Sequence, residues 1–164
     1  MKLKAAEPVY ITSPEWAKDP KLQFYVVYTD VEGTRAALRT ASHLACDLNA
    51  RIVLMVAQVV PYPLPLEAPD VPGEFTLDAL TRLAAEPGGD VSIRVFLCRD
   101  RDETVCNELP AASLVVIGGP KHWWSTRTPL LARLLRRAGH EVILARVSAA
   151  QPARLTSPKV ESSL

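Results

Sequence analysis

The loop that follows the fourth apolar run of the chain contains the residues best suited to bind an anion. The run ends in Gly118 and Gly119. The loop that follows contains Lys121, Arg127 and Thr128 and ends before Pro129. Glycines after a buried strand let backbone N–H groups approach a phosphate, and the partial positive charge at a helix N-terminus attracts anions. We therefore expect these residues to contribute to a ligand site. The alternative is that Lys121 and Arg127 only face solvent.

Two polar residues close the first apolar run of the sequence. In "LQFYVVYTD" the run ends at Thr29 and Asp30, whose hydroxyl and carboxylate can bind the polar groups of a small ligand. Asp30 also has a purely structural interpretation, because aspartate readily accepts a hydrogen bond from the backbone that follows it and so begins turns and helices. Ala57, in the second apolar run, completes the candidate ligand site.

Adjacent tryptophans, Trp123 and Trp124, lie in the same loop within the segment "KHWWSTR". Two neighbouring indoles do not both enter one core easily, so we expect one of them to lie over a ligand crevice or at a contact surface. Packing against the edge of the sheet is the alternative. Basic and aromatic residues also interleave in sites for single-stranded nucleic acid, but a net charge of +1 lacks the basic excess that such partners usually require.

Motifs for catalysis or metal binding do not occur in the sequence. There is no G-x-S-x-G turn, no H-E-x-x-H helix and no P-loop, and the histidines lack metal-ligand spacing. The cysteines, Cys46, Cys98 and Cys106, show no C-x-x-C spacing, so we predict reduced thiols in a cytoplasmic protein, each acting as a small buried side chain. The longest apolar stretch is cut by prolines, which argues against a membrane span.

Strands and helices alternate along the part of the chain that would position these residues. Apolar runs rich in β-branched residues predict strands, and apolar repeats at helical spacing predict the helices between them. The predicted strands are 22–30, 50–60, 91–100, 113–119 and 140–147, and the predicted helices are 37–48, 76–86, 102–109 and 129–138, the last with Thr128 as its N-cap.

This order predicts a single doubly wound, Rossmann-like α/β domain with a five-stranded parallel sheet. The domain covers residues 23–147, and residues 1–22 and 148–164, which are interrupted by prolines or rich in small polar residues, are predicted to be flexible tails. In such a sheet, ligands bind beyond the carboxyl ends of the strands where the strand order reverses. We therefore expect the ends of the first and fourth predicted strands to form the site.

The layout resembles the universal stress protein family, in particular "YVVYTDVEGTRAAL" at the start and "LVVIGG" with "LLRRAGHEVILARV" at the end. The resemblance implies the adenine-nucleotide alpha hydrolase-like fold and a role in stress response. Family members that bind ATP carry an aspartate after the first strand, matched by Asp30, and a G-x2-G-x9-G-[ST] motif after the fourth. Gly118 matches its first glycine, but Lys121 replaces the second, and Thr128 and Pro129 stand where the last pair belongs.

The lost glycines remove the backbone amide cradle that holds phosphate. We therefore expect a non-catalytic binding or regulatory module with lost or weakened ATP binding, for which ATP or another adenine nucleotide is the candidate cofactor. One alternative is a small nucleotide-binding or nucleotide-hydrolysing α/β protein that uses the crevice between strands one and four, with Lys121 and Arg127 neutralising phosphate. Another is a scaffold for protein contacts, anchored by Trp123 and Trp124.

The resemblance also places the last predicted strand at the edge of the sheet. Val142 to Val147 are mostly apolar, and the unpaired backbone groups of an edge strand attract another chain. We expect an isologous homodimer through this segment, because twofold pairing closes the edge without creating a new one. Arg146 and the C-terminal tail are the features that could instead cover it.

Overall fold

The computed structural model describes residues 9–10, 22–66, 73–88, 90–119 and 127–147. In order, the elements of these residues are β1 Val9–Tyr10, β2 Gln23–Val27, α1 Val31–Leu48, β3 Arg51–Val59, α2 Gly73–Ala85, β4 Val91–Cys98, α3 Arg101–Glu108, β5 Leu114–Gly119, α4 Arg127–Arg137 and β6 Glu141–Arg146. Strands β2 to β6 are the five that the sequence predicts, and α1 to α4 are the four predicted helices.

One sheet contains all the described strands, in the order β1-β4-β3-β2-β5-β6. Strands β2 to β6 run parallel to their neighbours, which confirms the predicted α/β fold with its five-stranded parallel sheet. From β2 the chain adds β3 and β4 on one side, and it then crosses to the other side of β2 for β5 and β6. The strand order therefore reverses between β2 and β5, and β6 lies at an edge of the sheet.

Strand β1 lies within residues 1–22, for which the sequence predicts a flexible tail. Val9 and Tyr10 pair antiparallel with Val95 and Arg94 of β4. β-branched and aromatic residues favour strands, and even a short strand supplies backbone partners to an edge that would otherwise be open. The flexible-tail prediction does not hold at these two positions, because the open edge of β4 offers them backbone hydrogen-bond partners.

Alternating side chains of the strands build a core on each face of the sheet. Phe24 and Val26 of β2 pack towards α1 and α2, whereas Tyr25 and Val27 pack towards α3 and α4. The apolar stripe that predicts the first helix is buried against the sheet and includes Ala37, Leu38, Ala41 and Ala45. Both faces of the central strands are therefore covered by helices, as their continuous apolar runs indicate.

The cysteines are all free thiols, but they differ in exposure. Cys98 on β4 is buried and Cys106 on α3 is half-buried, and burial raises the pKa of both thiols. Cys46 is exposed, so the prediction of a buried side chain is wrong for this residue. It follows Ala45 in α1 and therefore points away from the stripe that packs on the sheet.

Candidate functional site

The carboxyl ends of β2 and β5 lie side by side at the reversal of strand order. Thr29 and Asp30 follow β2, and Gly118 and Gly119 are the last residues of β5. The structure thus brings together four of the residues that the sequence predicts for a ligand site. We call this place the β2–β5 junction.

Hydrogen bonds of Thr29 connect the two strand ends and the helix that follows β2. The Thr29 hydroxyl Oγ1 donates to the Gly118 carbonyl at 2.9 Å. The Thr29 backbone N–H donates to Oγ1 of Thr34, a fully buried residue in the first turns of α1, at 3.1 Å. The Thr29 side chain therefore has a structural role at the junction.

Gly33 and Gly118 bring the backbone of α1 into direct contact with the end of β5. A Cβ atom added to Gly118 would lie 1.6 Å from the Gly33 carbonyl oxygen, and one added to Gly33 would lie 2.7 Å from Thr29 Oγ1. Neither position accepts a side chain without movement of the backbone or of Thr29. By contrast, a Cβ atom on Gly119 would find Thr128 Cγ2 at 3.8 Å, an ordinary contact. The packing of α1 thus accounts for the glycine at position 118 without reference to a phosphate.

Asp30 is the N-cap of α1. Its backbone is extended, and its carboxylate Oδ1 accepts a hydrogen bond of 2.8 Å from the Gly33 N–H. This contact confirms the structural interpretation of Asp30 that the sequence offers. The residue is exposed, so its carboxylate remains accessible from the carboxyl edge of the sheet.

Two arginines that follow β4 were not predicted as site residues. The Arg101 guanidinium donates through Nη2 to the Tyr28 carbonyl at the end of β2. Arg99 donates to the carbonyls of Val60 and Leu64, each at 2.6 Å, and lies 4.1 Å from the ring centre of Tyr62. Arg99 thereby fixes the loop after β3, whereas Arg101 supplies a half-buried cation next to Thr29.

The acidic residues that follow β4, Asp100, Asp102 and Glu103, have one interpretation from the sequence alone, which is a solvated charge run at the start of a helix. That interpretation is correct for Asp100, which caps α3 by accepting from the Glu103 N–H at 2.9 Å. The available signal for Arg101 was its position just beyond the carboxyl end of the predicted strand 91–100, because ligands of doubly wound sheets bind beyond the carboxyl ends of the strands.

Ala57 does not join the junction residues but lines a groove between α1 and α2. The groove has a volume of about 420 Å³ and is bordered on the sheet side by Tyr28, Val56, Ala57 and Gln58. Arg35 of α1 and Glu86, just beyond α2, form a salt bridge beside it, with Nε and Oε2 at 2.6 Å. Hydrogen bonding to Arg35 lowers the pKa of the Glu86 carboxyl and raises that of the guanidinium.

Comparison with known proteins finds similarity at the level of structure. No family model and no curated protein matches the chain. A universal stress protein from Archaeoglobus fulgidus superposes with a TM-score of 0.51 at 14% identity, over 76% of this chain and 93% of its own. The structure of the universal stress protein from that organism in complex with dAMP superposes with a TM-score of 0.50 at 14% sequence identity. This superposition covers 76% of this chain and 97% of the other. The chain has the universal stress protein fold.

The universal stress protein fold positions the start of α4 beside the end of β5. The helix begins at Arg127, one residue before the predicted cap, so Thr128 lies in its first turn and the N-cap prediction for it is wrong. Thr128 is buried and its methyl group lies near Gly119, whereas Arg127 is exposed. Lys121, Trp123 and Trp124 lie outside the described residues.

Hydrogen-bonding and charged groups are the chemistry that the described residues supply at this edge. Across the described ranges, the structure contains no group of three or more His, Cys, Asp or Glu side chains that could hold a metal ion. The polar groups at the junction are a hydroxyl, a capping carboxylate and the Arg101 guanidinium. In the same part of the chain, no helix is long and apolar enough to cross a membrane.

Proposed function

We propose that this chain is a non-catalytic binding module of the universal stress type that acts in stress response and has lost or weakened ATP binding. The observation that carries the proposal is the construction of the β2–β5 junction. Its first motif glycine, Gly118, contacts Gly33, and the Gly118 carbonyl accepts from Thr29. These groups hold the fold together, and the remaining glycines of the phosphate motif are replaced in the sequence.

A nucleotide with one phosphate fits this arrangement better than ATP does. The Archaeoglobus fulgidus protein of this fold has been solved in complex with dAMP. A single phosphate can be neutralised by one guanidinium, and Arg101 lies at the required edge of the sheet. A triphosphate depends on successive backbone N–H groups, and a lysine at position 121 does not supply the conformational freedom of the glycine it replaces.

Native mass spectrometry of the chain, purified without added nucleotide, tests this proposal. We expect the mass of the protein without ATP, and no ATP turnover in the presence of Mg²⁺, because the sequence replaces the glycines that would hold the phosphates. Bound ATP in the purified protein would overturn the proposal that ATP binding is lost or weakened. Turnover that is lost in Lys121→Ala would instead support a nucleotide hydrolase.

We further propose that the chain forms a homodimer through β6, between Val142 and Val147, in the cytoplasm. Glu141 N–H donates to Ser113 O of the loop before β5, so the backbone groups of Val142 and Leu144 point to the open edge of the sheet. Leu144 is 40% exposed, which leaves an apolar side chain at that edge. Arg136 donates to the Val142 carbonyl at 3.0 Å, and this contact competes with pairing to a second strand.

A further inference from the structure

The groove between α1 and α2 has apolar walls and lies outside the β2–β5 junction. Its apolar lining consists of Val31, Val56, Ala57, Ala79, Leu80 and Leu83. Val31 is a large apolar residue that is 49% exposed there, although it begins a helix whose other face is buried. A volume of about 420 Å³ lies within the range of small-molecule sites. The walls therefore suit the apolar body of a small ligand.

The mouth of the groove carries charged groups arranged around Arg35. The guanidinium contacts both carboxylate oxygens of Glu86, with Nε–Oε2 at 2.6 Å and Nη2–Oε1 at 3.0 Å, and it also pairs with Glu32. Arg82 lines the same rim, and Arg39 acts electrostatically on Glu86. Among the lining residues, two arginines, Arg35 and Arg82, stand against one carboxylate, that of Glu86. An anionic ligand is the electrostatic complement of this rim.

The contact between Arg35 and Glu86 gives the geometry in which this guanidinium holds a carboxylate. A guanidinium that already holds a carboxylate through two parallel hydrogen bonds needs no rearrangement to hold another. Glu86 follows the last residue of α2 and its side chain is 37% exposed, so it can leave Arg35 without moving the helix. Exposed ion pairs are weak, which keeps this exchange inexpensive in free energy.

We propose that this groove binds a small carboxylate with an apolar body, whose carboxylate replaces that of Glu86 on Arg35. The apolar body lies between α1 and α2 over Leu80 and Leu83, and Arg82 adds a second positive charge at the rim. Thr29, Asp30 and Gly118 do not line the groove, whereas Ala57 of the candidate ligand site does. Decanoate, used below its micelle concentration, is a suitable probe.

Calorimetric titration with decanoate of the parent chain and of two rim variants tests the exchange. We expect saturable binding to one site, weakened at least about tenfold in Arg35→Gln because the ligand loses its charged partner. Glu86→Gln should bind decanoate more tightly than the parent, since the competing carboxylate is gone. If the salt bridge only held α1 and α2 together, both variants would weaken binding, and that result would overturn the proposal.

A second pair of variants tests whether the ligand body occupies the groove. Ala79→Trp fills the groove from an exposed position and should abolish binding, whereas Ala85→Trp, on the same helix but outside the lining, should bind as the parent does. Circular dichroism confirms that both variants are folded. Decanol, which lacks the carboxylate, should bind to the parent and to Arg35→Gln with the same affinity. No binding of decanoate to the parent, or equal binding by both tryptophan variants, would overturn the proposal.

Discussion

At the scale of single residues, Gly118 shows how one sequence pattern can have two physical causes. The sequence predicts it as the first glycine of a phosphate motif, and the structure shows that a side chain there would overlap the Gly33 carbonyl. Gly33 is distant in sequence, so no local pattern around Gly118 reveals the contact. Asp30 is different, because the tendency of aspartate to cap helices is a local property and the sequence indicated that role correctly.

Substitution of Gly118 and of Gly119 by alanine tests whether the glycine at position 118 is needed for close packing against α1 or for the conformational freedom of the loop. Gly118→Ala should lower the free energy of unfolding by about 1–3 kcal/mol or more, because its Cβ would lie 1.6 Å from backbone oxygen. Gly119→Ala is the matched control, with its nearest contact at 3.8 Å, and should change stability by less than about 0.5 kcal/mol. Urea unfolding measures both. Equal effects of the two substitutions would contradict the packing role of Gly118.

At the scale of elements, the sequence predicts what depends on local periodicity and misses what depends on the arrangement of elements. The strands and helices follow from alternating and helical apolar patterns, and the edge position of β6 followed from the family resemblance. Strand β1 and the α1–α2 groove could not be predicted, because both depend on which elements become neighbours in the fold.

The Arg35–Glu86 pair links the ends of α1 and α2, and its contribution to stability should depend on pH. The folded state lowers the Glu86 pKa, so the ionised carboxylate stabilises the fold above its unfolded pKa, and that stabilisation is lost as the pH falls through the folded value. Glu86→Gln should therefore be less stable than the parent at pH 7, with a difference that shrinks in acid. Urea unfolding between pH 7 and 3 measures this difference.

Asp78→Asn is the matched control for that pH series, because Asp78 is an exposed acid on the same helix. Its difference from the parent should stay small throughout. A Glu86→Gln difference that is constant with pH would show that the ionised pair does not stabilise the contact between α1 and α2.

The edge strand β6 determines whether two copies associate. Sedimentation at micromolar concentration should give a mass of about 36 kDa, twice that of one 18.0 kDa chain. Leu144→Lys should shift it towards one chain, while Arg136→Ala, which frees the Val142 carbonyl, should strengthen association. Substitution of Ile143 or Ala145 by a charged residue is a poorer test of association, because both side chains pack in the core and the change would also destabilise the fold.

Leu134→Lys is the control for the sedimentation series, since it changes an exposed leucine of α4 rather than of β6. It should leave the mass at that of two chains. A parent protein that sediments as one chain at high concentration would contradict strand pairing and would indicate that another segment covers the edge.

At the scale of the whole molecule, the chain has the universal stress protein fold, and its β2–β5 junction is closed by the contact of Gly33 with Gly118 and by the hydrogen bond from Thr29. The backbone contact of α1 with β5 and the cap at Asp30 maintain the sheet and helix geometry without any ligand. The balanced net charge of +1 gives the surface no general attraction for polyanions, so any nucleotide specificity has to come from the few polar groups at this edge.

The ratio of the affinities for ATP and AMP tests the central claim most directly. Calorimetric titration of the parent and of Asp30→Asn, which keeps a capping oxygen while removing the charge, gives both affinities. We predict that ATP binds no more tightly than AMP, because the glycines that would hold the additional phosphates are replaced. Micromolar ATP binding that is at least about tenfold tighter than AMP binding and is lost in Asp30→Asn would contradict the account.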